Sequence, residues 1–362
     1  ALTASPAAFD VIRYVGAAYL QGLETMRFEA LIGLVGGLVR TIGGVALVFL
    51  VDDLNYVLVW MALVAFAQAA AVVLRLRRDR NRPDRVRVSP IPLRVALASS
   101  GAMMIVVVSN ALILRADSIV IGAFEGSEAV GFYTAAYALV TGVQIVPWIL
   151  SVAVFPVFSR TFRQDHEQLH ATWAGALRAA ALTTIPAAVI ITILAGPIIE
   201  RLYGSSYEPS ADALAILIWW VPLAAFTALS AGLLRAAGRE RIHAVILIGG
   251  AGANIGGNLI VVPLYGFLAA AWVTIAVEAV MGMVTAPILK RLDIRPPSWS
   301  LVFRLALALG ILAVATLVLG ALPVELAVLG AVAVFAALAI ALHLVTIPEI
   351  VSVSRALVGG RS

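Results

Sequence analysis

Long apolar blocks recur from one end of the chain to the other, separated by short polar connections. Each block is close to the ~20 residues that a helix needs to cross a hydrocarbon core. Eleven can be marked: about 3–22, 28–50, 54–75, 93–122, 129–157, 171–195, 211–236, 241–262, 266–289, 300–320 and 324–346. The first is the weakest, because Asp10 and Arg13 interrupt it. The pattern predicts an all-α fold, a polytopic transmembrane helical bundle of about eleven helices.

The connections alternate in charge. RLRRDRNRPDRVR (75–87) holds seven arginines, and SRTFRQDHEQLH, LRAAGRERIH, KRLDIRPP and the tail SRALVGGRS are basic or mixed. Between them lie VDDLN, EGSEAVG, ERLYGSSYEPSAD, PLYGF and ALPVE, acidic or neutral apart from Arg201. Every second connection is basic, which is the positive-inside signature and puts the C-terminus in the cytoplasm. The same placement accounts for the net charge of +5 without nucleic acid, because the arginines sit in short loops and lysine is almost absent.

Composition strengthens the membrane reading. The chain is 62% apolar and 12% charged, with a mean hydropathy of +1.03; soluble domains are about 45–50% apolar and about 25% charged. With no cysteine, disulfides and thiolate metal sites are excluded. The opening ALTASPAAFD lacks a basic region followed by an apolar core, so it does not read as an intact signal peptide.

An internal repeat organises the blocks. Slid along itself by 214 residues, the chain places Leu20, Arg27, Ala30, Ile32, Gly36 and Gly43 on Leu234, Arg241, Ala244, Ile246, Gly250 and Gly257. Arg40 falls on Asn254, and Val59, Ala62 and Ala65 fall on Val273, Ala276 and Ala279. Both copies run in the same membrane direction, a parallel repeat of the kind found in some transporters. A six-helix unit makes 93–290 a complete lobe and 1–75 the last three helices of another, joined by an Arg-rich cytoplasmic linker at 76–92. A linker at 291–299, an accessory helix pair at 300–346 and a cytoplasmic tail at 347–362 complete the division. On this expectation three helices would precede residue 1.

At this point several segments resemble the bacterial polysaccharide flippases. LRADSIVIGAFEGSEAVGFYTAAYAL (114–139) is similar to their seventh and eighth helices, and AVFPVFSR (153–160) to the end of the eighth. ERLYGSSYEPSADALAIL (200–217), LLRAAGRERIH (233–243) and NIGGNLIVVPLYGFLAAAWVT (254–274) follow in the same order and spacing. That group comprises O-antigen (Wzx-type) and exopolysaccharide flippases of the MOP superfamily, kin of the lipid II flippases and the MATE multidrug exporters. The resemblance covers roughly 20–345. It implies a two-lobe MOP/MATE-like architecture, here with the first lobe incomplete, in a bacterial cytoplasmic membrane. It also implies flipping of an undecaprenyl-pyrophosphate-linked oligosaccharide, not catalysis. The bilayer, a coupling proton or sodium ion, and polysaccharide polymerase or export machinery are the implied partners, with no cofactor.

Two motifs compete with that reading. His166, Glu167 and His170 in DHEQLH fit the H-E-x-x-H spacing of zinc proteases. A catalytic zinc needs a third ligand and a shielded pocket, whereas DHEQLH lies in the polar run SRTFRQDHEQLHATW between spans. The remaining histidines, His243 and His343, belong to helices with no reason to lie beside it. No metal site is expected, and the stretch reads as a solvated helix. GGAGANIGG (249–257) superficially suggests a dinucleotide loop, but no strand precedes it; Gly33/Gly37 and Gly252/Gly256 read instead as small-xxx-small pairs for close helix approach.

Charges inside a bilayer are costly and face a bundle interior or a wet cavity. Arg40 and Asn254 lie about 20 Å from the basic end of their helices, Glu278 near the midplane, and Arg115 and Asp117 deep toward the outer side. A pyrophosphate head group needs a cation-lined path, and guanidinium forks suit its oxygens. Arg40 and Arg115 are the candidates; for Arg115, snorkelling to outer head groups or pairing with an acid is an equal alternative. Asp117, Asn254 and Asn258 join them as substrate-binding candidates. Tyr133, Tyr137, Thr141, Gln144 and Trp148 recur at helical spacing, and Tyr137 and Gln144 are the residues to meet sugar rings, unless the stripe is an interfacial belt. Glu278, on one face with Thr274 and Thr285, is the candidate for the coupling cation, or else makes a structural hydrogen bond. The rivals are cation-coupled drug export, an intramembrane protease, and a non-functional truncated remnant.

Overall fold

The computed structural model describes residues 9, 26–51, 54–78, 116–162, 164–292, 294 and 299–344. Arg115, the span at 3–22 apart from residue 9, most of the span at 93–122 and the tail lie outside the described residues. Among the described residues all regular structure is helical. Seven helical spans there are long and apolar enough to cross a membrane. Large apolar side chains such as Phe303 (72% exposed) and Leu329 (67%) stand on the surface, an arrangement that water penalises and hydrocarbon does not. The protein is a multi-pass membrane protein.

The chain divides into two units, Ala1–Ile91 and Pro92–Ser362. In the first, α1 (Met26–Leu50) and α2 (Leu54–Arg78) form an antiparallel pair closed by the short connection at 51–53. In the second, α3 (116–124) leads into α4 (Gly126–Thr161), α5 (His166–Ile193), α6 (Ala195–Tyr203), α7 (Pro209–Leu217) and α8 (Trp220–Ala236). Then come α9 (Glu240–Tyr265), α10 (Phe267–Arg291), α11 (Trp299–Leu319) and α12 (Val324–Ala341). The long helix α4 packs against α5, α7 and α8; α10 packs on α8 and pairs with α9; α11 and α12 pair and lean on α5. Gly238 and Gly266 take positive φ, 67° and 79°, in the tight turns that join α8 to α9 and α9 to α10.

The span expected at 211–236 is present as one apolar run, Pro209–Ala236, long enough to cross a membrane, with a turn at Ile218 and Trp219 inside it. Pro222 is the physical cause: it has no N–H to donate and its ring crowds the carbonyl of Ile218. Within the connection ERLYGSSYEPSAD, α6 continues to Tyr203, buries Ile199 and stops at Gly204 with φ 85°.

One expectation is corrected, and it concerns close approach. A Cβ on Gly33, Gly37, Gly252 or Gly256 would meet no described atom within 4 Å. The close contacts belong to Gly36, Gly43, Gly250 and Gly257, where a Cβ would come closer than 3.0 Å to Gln68, Trp60, Met281 and Val273 respectively. These are the glycines that the 214-residue slide superimposes, and their partners fall one residue short of the same slide. Within each helix pair, then, matching glycines receive the partner helix at matching heights.

Candidate functional site

In the second unit, four helices converge on one carboxylate. Asp117 on α3 accepts from Tyr133 Oη of α4 (2.6 Å), Asn258 Nδ2 of α9 (2.6 Å) and Thr274 Oγ1 of α10 (2.9 Å). Asn258 Nδ2 also reaches Asn254 Oδ1 at 3.2 Å, one turn away. All five side chains are buried, Asp117 to 2% exposure. A buried carboxylate is tolerable only when donors replace its water, and here three do. The amide spacing at i, i+4 puts both asparagines on one stripe of α9.

A stack of aromatic rings runs from this network to a second acid. Tyr133 lies against Tyr137 and Tyr137 against Trp220, each with centroids 6.0 Å apart and planes within 25° of parallel. Trp220 then donates its Nε1 to Glu278 Oε2 at 2.9 Å, and Thr227 Oγ1 donates to Glu278 Oε1. Trp220 and Thr227 are seven residues apart on α8, so they share a face.

Glu278 borders a cavity of ≈ 390 Å³, whose polar and aromatic walls include Gln144, Trp148, Trp220, Arg235 and His243. Gln144 Oε1 is buried there without a hydrogen-bond partner. Arg235 lies over the Phe155 ring at 4.8 Å and stands at the last turn of α8, beside His243 in the first turn of α9. The space is therefore bordered by one acid, Glu278, and by two basic side chains, Arg235 and His243.

A profile of the family described as "Polysaccharide biosynthesis protein" matches residues 2–212. This chain belongs to the polysaccharide biosynthesis protein family. Its fold is that of the MOP-superfamily transporters. A solved structure described as "Lipid II flippase MurJ, inward closed conformation" aligns with TM-score 0.75 at 13% identity, covering 93% of this chain and 72% of that one. An outward-facing multidrug resistance MATE family transporter of the MOP superfamily aligns with TM-score 0.56 at 16% identity, covering 78% of this chain and 66% of that one. No curated protein matches.

Within this polysaccharide biosynthesis protein the expected site residues fall into separate groups. Asp117, Asn254 and Asn258 come together but line no part of the cavity; Gln144 and Glu278 do line it; Tyr137 sits between the two groups. The proposed stripe on α10 splits, with Thr274 turned to Asp117 while Glu278 and Thr285 face the cavity. Arg40 belongs to the other unit, where its Nη2 donates to Gln68 Oε1 at 3.2 Å and Gln68 Nε2 donates to Ile32 O at 3.0 Å. Trp220, Thr227, Arg235 and His243 were not expected at the site. The seven-residue spacing of Trp220 and Thr227 was their only signal in the sequence.

DHEQLH has a local role. Asp165 caps the start of α5, accepting from Gln168 N at 2.9 Å, and Glu167 lies in the first turn, where an acid suits the helix dipole. His166 and Glu167 are exposed. Among the described residues no three metal-ligating side chains converge.

Proposed function

We propose that the protein flips an undecaprenyl-pyrophosphate-linked oligosaccharide from the inner to the outer leaflet of the bacterial cytoplasmic membrane. The observation that carries this reading is the cavity beside Glu278, bordered by Gln144, Arg235 and His243 among bilayer-spanning helices of a polysaccharide biosynthesis protein. A glycan and its phosphates cannot cross hydrocarbon unless protein groups replace their water. Gln144, with its unpartnered oxygen, is suited to a sugar hydroxyl or amide donor. Tyr137 braces the cavity wall through Trp220. Arg40 and Arg115 bind the phosphates, and Asp117, hydrogen-bonded to Asn258 beside Asn254, fixes α9, which carries part of the cavity wall.

Glu278 serves as the coupling site, taking a proton or sodium ion as the two lobes rock between access states. No covalent bond is made or broken, so the protein is not an enzyme. The charge alternation of the connections supports a cytoplasmic C-terminus. The likeness to a protein described as a lipid II flippase supports a lipid-linked substrate. The likeness to a MATE transporter keeps cation-coupled export of a small molecule as the rival.

The test is reconstitution of the full-length gene product in vesicles with a fluorescent lipid-linked oligosaccharide. Accessibility of the glycan to an external lectin should rise with time and fall to background in an Arg40→Ala/Arg115→Ala double variant. Unchanged accessibility with the unaltered protein, together with efflux of a cationic dye, would reject the flippase in favour of the exporter. Normal flipping by the double variant would remove the arginines from the mechanism.

A further inference from the structure

The α1–α2 pair holds a buried amide that packing alone does not require. Gln68 of α2 is 8% exposed and lies against Gly36 of α1, where any side chain would collide with its amide. Cβ bonds tilt toward the start of a helix, so a side chain at 36 would also cover the carbonyl of Ile32 one turn earlier. Glycine leaves that carbonyl open, and Gln68 Nε2 donates to it at 3.0 Å. A carbonyl only accepts, so this bond decides which way the amide points. Gln68 Oε1 is thereby turned to Arg40, and accepts from Nη2 at 3.2 Å.

The second unit shows what packing needs at such a place. In the α9–α10 pair Gly250 receives Met281, which falls one residue short of the 214-residue slide from Gln68, and Asn254 stands where Arg40 stands. A thioether therefore fills the matching recess as well as an amide does. The pair that carries the arginine has the amide, and the pair that does not has methionine.

The amide chemistry suits that place. A guanidinium inside a bilayer span is costly and sits on a stem with many rotamers. An amide locked at one end by Ile32 O offers it one fixed acceptor. Being neutral, Gln68 orients the guanidinium without cancelling its charge, as a carboxylate at 68 would do. An oriented fork of that kind matches phosphate oxygens.

We propose that Gln68 is a positioning residue, which holds the Arg40 guanidinium in the orientation that meets a pyrophosphate group. The proposal rests on the reading in which Arg40 binds the phosphates of the carried lipid, and adds the residue through which that contact is set.

The experiment titrates the full-length gene product, in phosphatidylcholine nanodiscs, with inorganic pyrophosphate by calorimetry. Gln68→Met copies the second pair, so it should unfold in SDS close to the unaltered protein. Its affinity for pyrophosphate should nevertheless fall about tenfold, the worth of one aligned charge-assisted contact. Gln68→Glu keeps an acceptor for Arg40 but competes with the anion, and should lose about as much; an amide that merely joined the helices would predict no loss there. Gly36→Ala, which displaces Gln68 from the α1 side, should weaken binding in the same direction. In an Arg40→Ala background Gln68→Met should change nothing further. The proposal is overturned if Gln68→Met or Gln68→Glu binds pyrophosphate as the unaltered protein does, or if Gln68→Met acts equally without Arg40. Normal binding by Arg40→Ala, or none by the unaltered protein, overturns it together with the phosphate role of Arg40. Binding as stated without translocation of lipid-linked oligosaccharide leaves the positioning role standing and removes the flippase reading.

Discussion

Replacing Asp117 by alanine removes the acceptor for three donors at once, but the structure says that the three suffer unequally. Thr274 can turn its hydroxyl to the carbonyl four residues earlier, as Thr184 and Thr285 already do at 2.7 Å each. Asn258 keeps Asn254 Oδ1 at 3.2 Å. Tyr133 has neither escape: its ring is fixed against Tyr137, and its hydroxyl is left buried without an acceptor. One stranded donor costs about 1–3 kcal/mol, and the emptied side-chain volume adds about 1 kcal/mol. The expected destabilisation is therefore about 2–4 kcal/mol, above the ~0.6 kcal/mol average for hydrogen bonds between membrane helices, because this one is sealed from both water and lipid. Asp117→Asn should cost about 1 kcal/mol or less, since its carbonyl still serves Tyr133 and Thr274. Its new amide can meet Asn258 Oδ1, which has no partner at present. In a Tyr133→Phe background, Asp117→Ala should fall to about 1 kcal/mol. The assay is unfolding by SDS in mixed micelles, followed by far-ultraviolet circular dichroism. If Asp117→Ala lies within about 0.5 kcal/mol of the unaltered protein, or if Tyr133→Phe brings no relief, the network does not hold these helices together.

Glu278→Gln should unfold at the temperature of the unaltered protein, because Thr227 can turn its donor to Ala224 O at 3.1 Å and accept from the new amide; transport should nevertheless drop by about tenfold or more if the charge couples the cycle, and equal transport in the vesicle assay would make the residue purely structural. Gly36→Ala should lower the stability of the α1–α2 pair by about 1–2 kcal/mol by displacing Gln68 from Ile32 O and Arg40. Gly37→Ala, one residue on and in open space, should be neutral or stabilising by up to about 1 kcal/mol; the same SDS titration compares them, and equal losses would refute the close-contact argument. Arg178→Ala removes the Nε bond of 2.8 Å, and its Nη2 companion, to Leu344 O beyond the end of α12. Amide exchange in 324–344 should then speed up by about tenfold, the effect of roughly 1–2 kcal/mol; unchanged exchange would show that packing alone seats α12.

The helices were legible because hydrocarbon imposes its own length. Blocks such as 54–75 and 266–289 meet α2 and α10 within a few residues, whereas a polar segment like 200–208 carries no such constraint and hid the end of α6. Residue spacing on a single helix was also readable: Asn254 and Asn258 do share a stripe and a hydrogen bond. What one helix cannot disclose is which neighbour each face meets. Tyr133, Tyr137 and Gln144 look alike on α4, yet one serves Asp117, one stacks on Trp220 and one borders the cavity. The glycines teach the same lesson, since Gly33/Gly37 and Gly36/Gly43 differ only in the direction from which a second helix arrives.

The donors around Asp117 come from far apart in the chain. Tyr133 follows it by 16 residues, but Asn258 follows by 141 and Thr274 by 157. At about 5–20 residues per second, the ribosome takes roughly 7–30 s to deliver the later pair. Throughout that interval the chain already made holds only Tyr133 of the three donors that Asp117 finally receives. The ring of donors around Asp117 can therefore close only once the helix pair α9–α10 has been made.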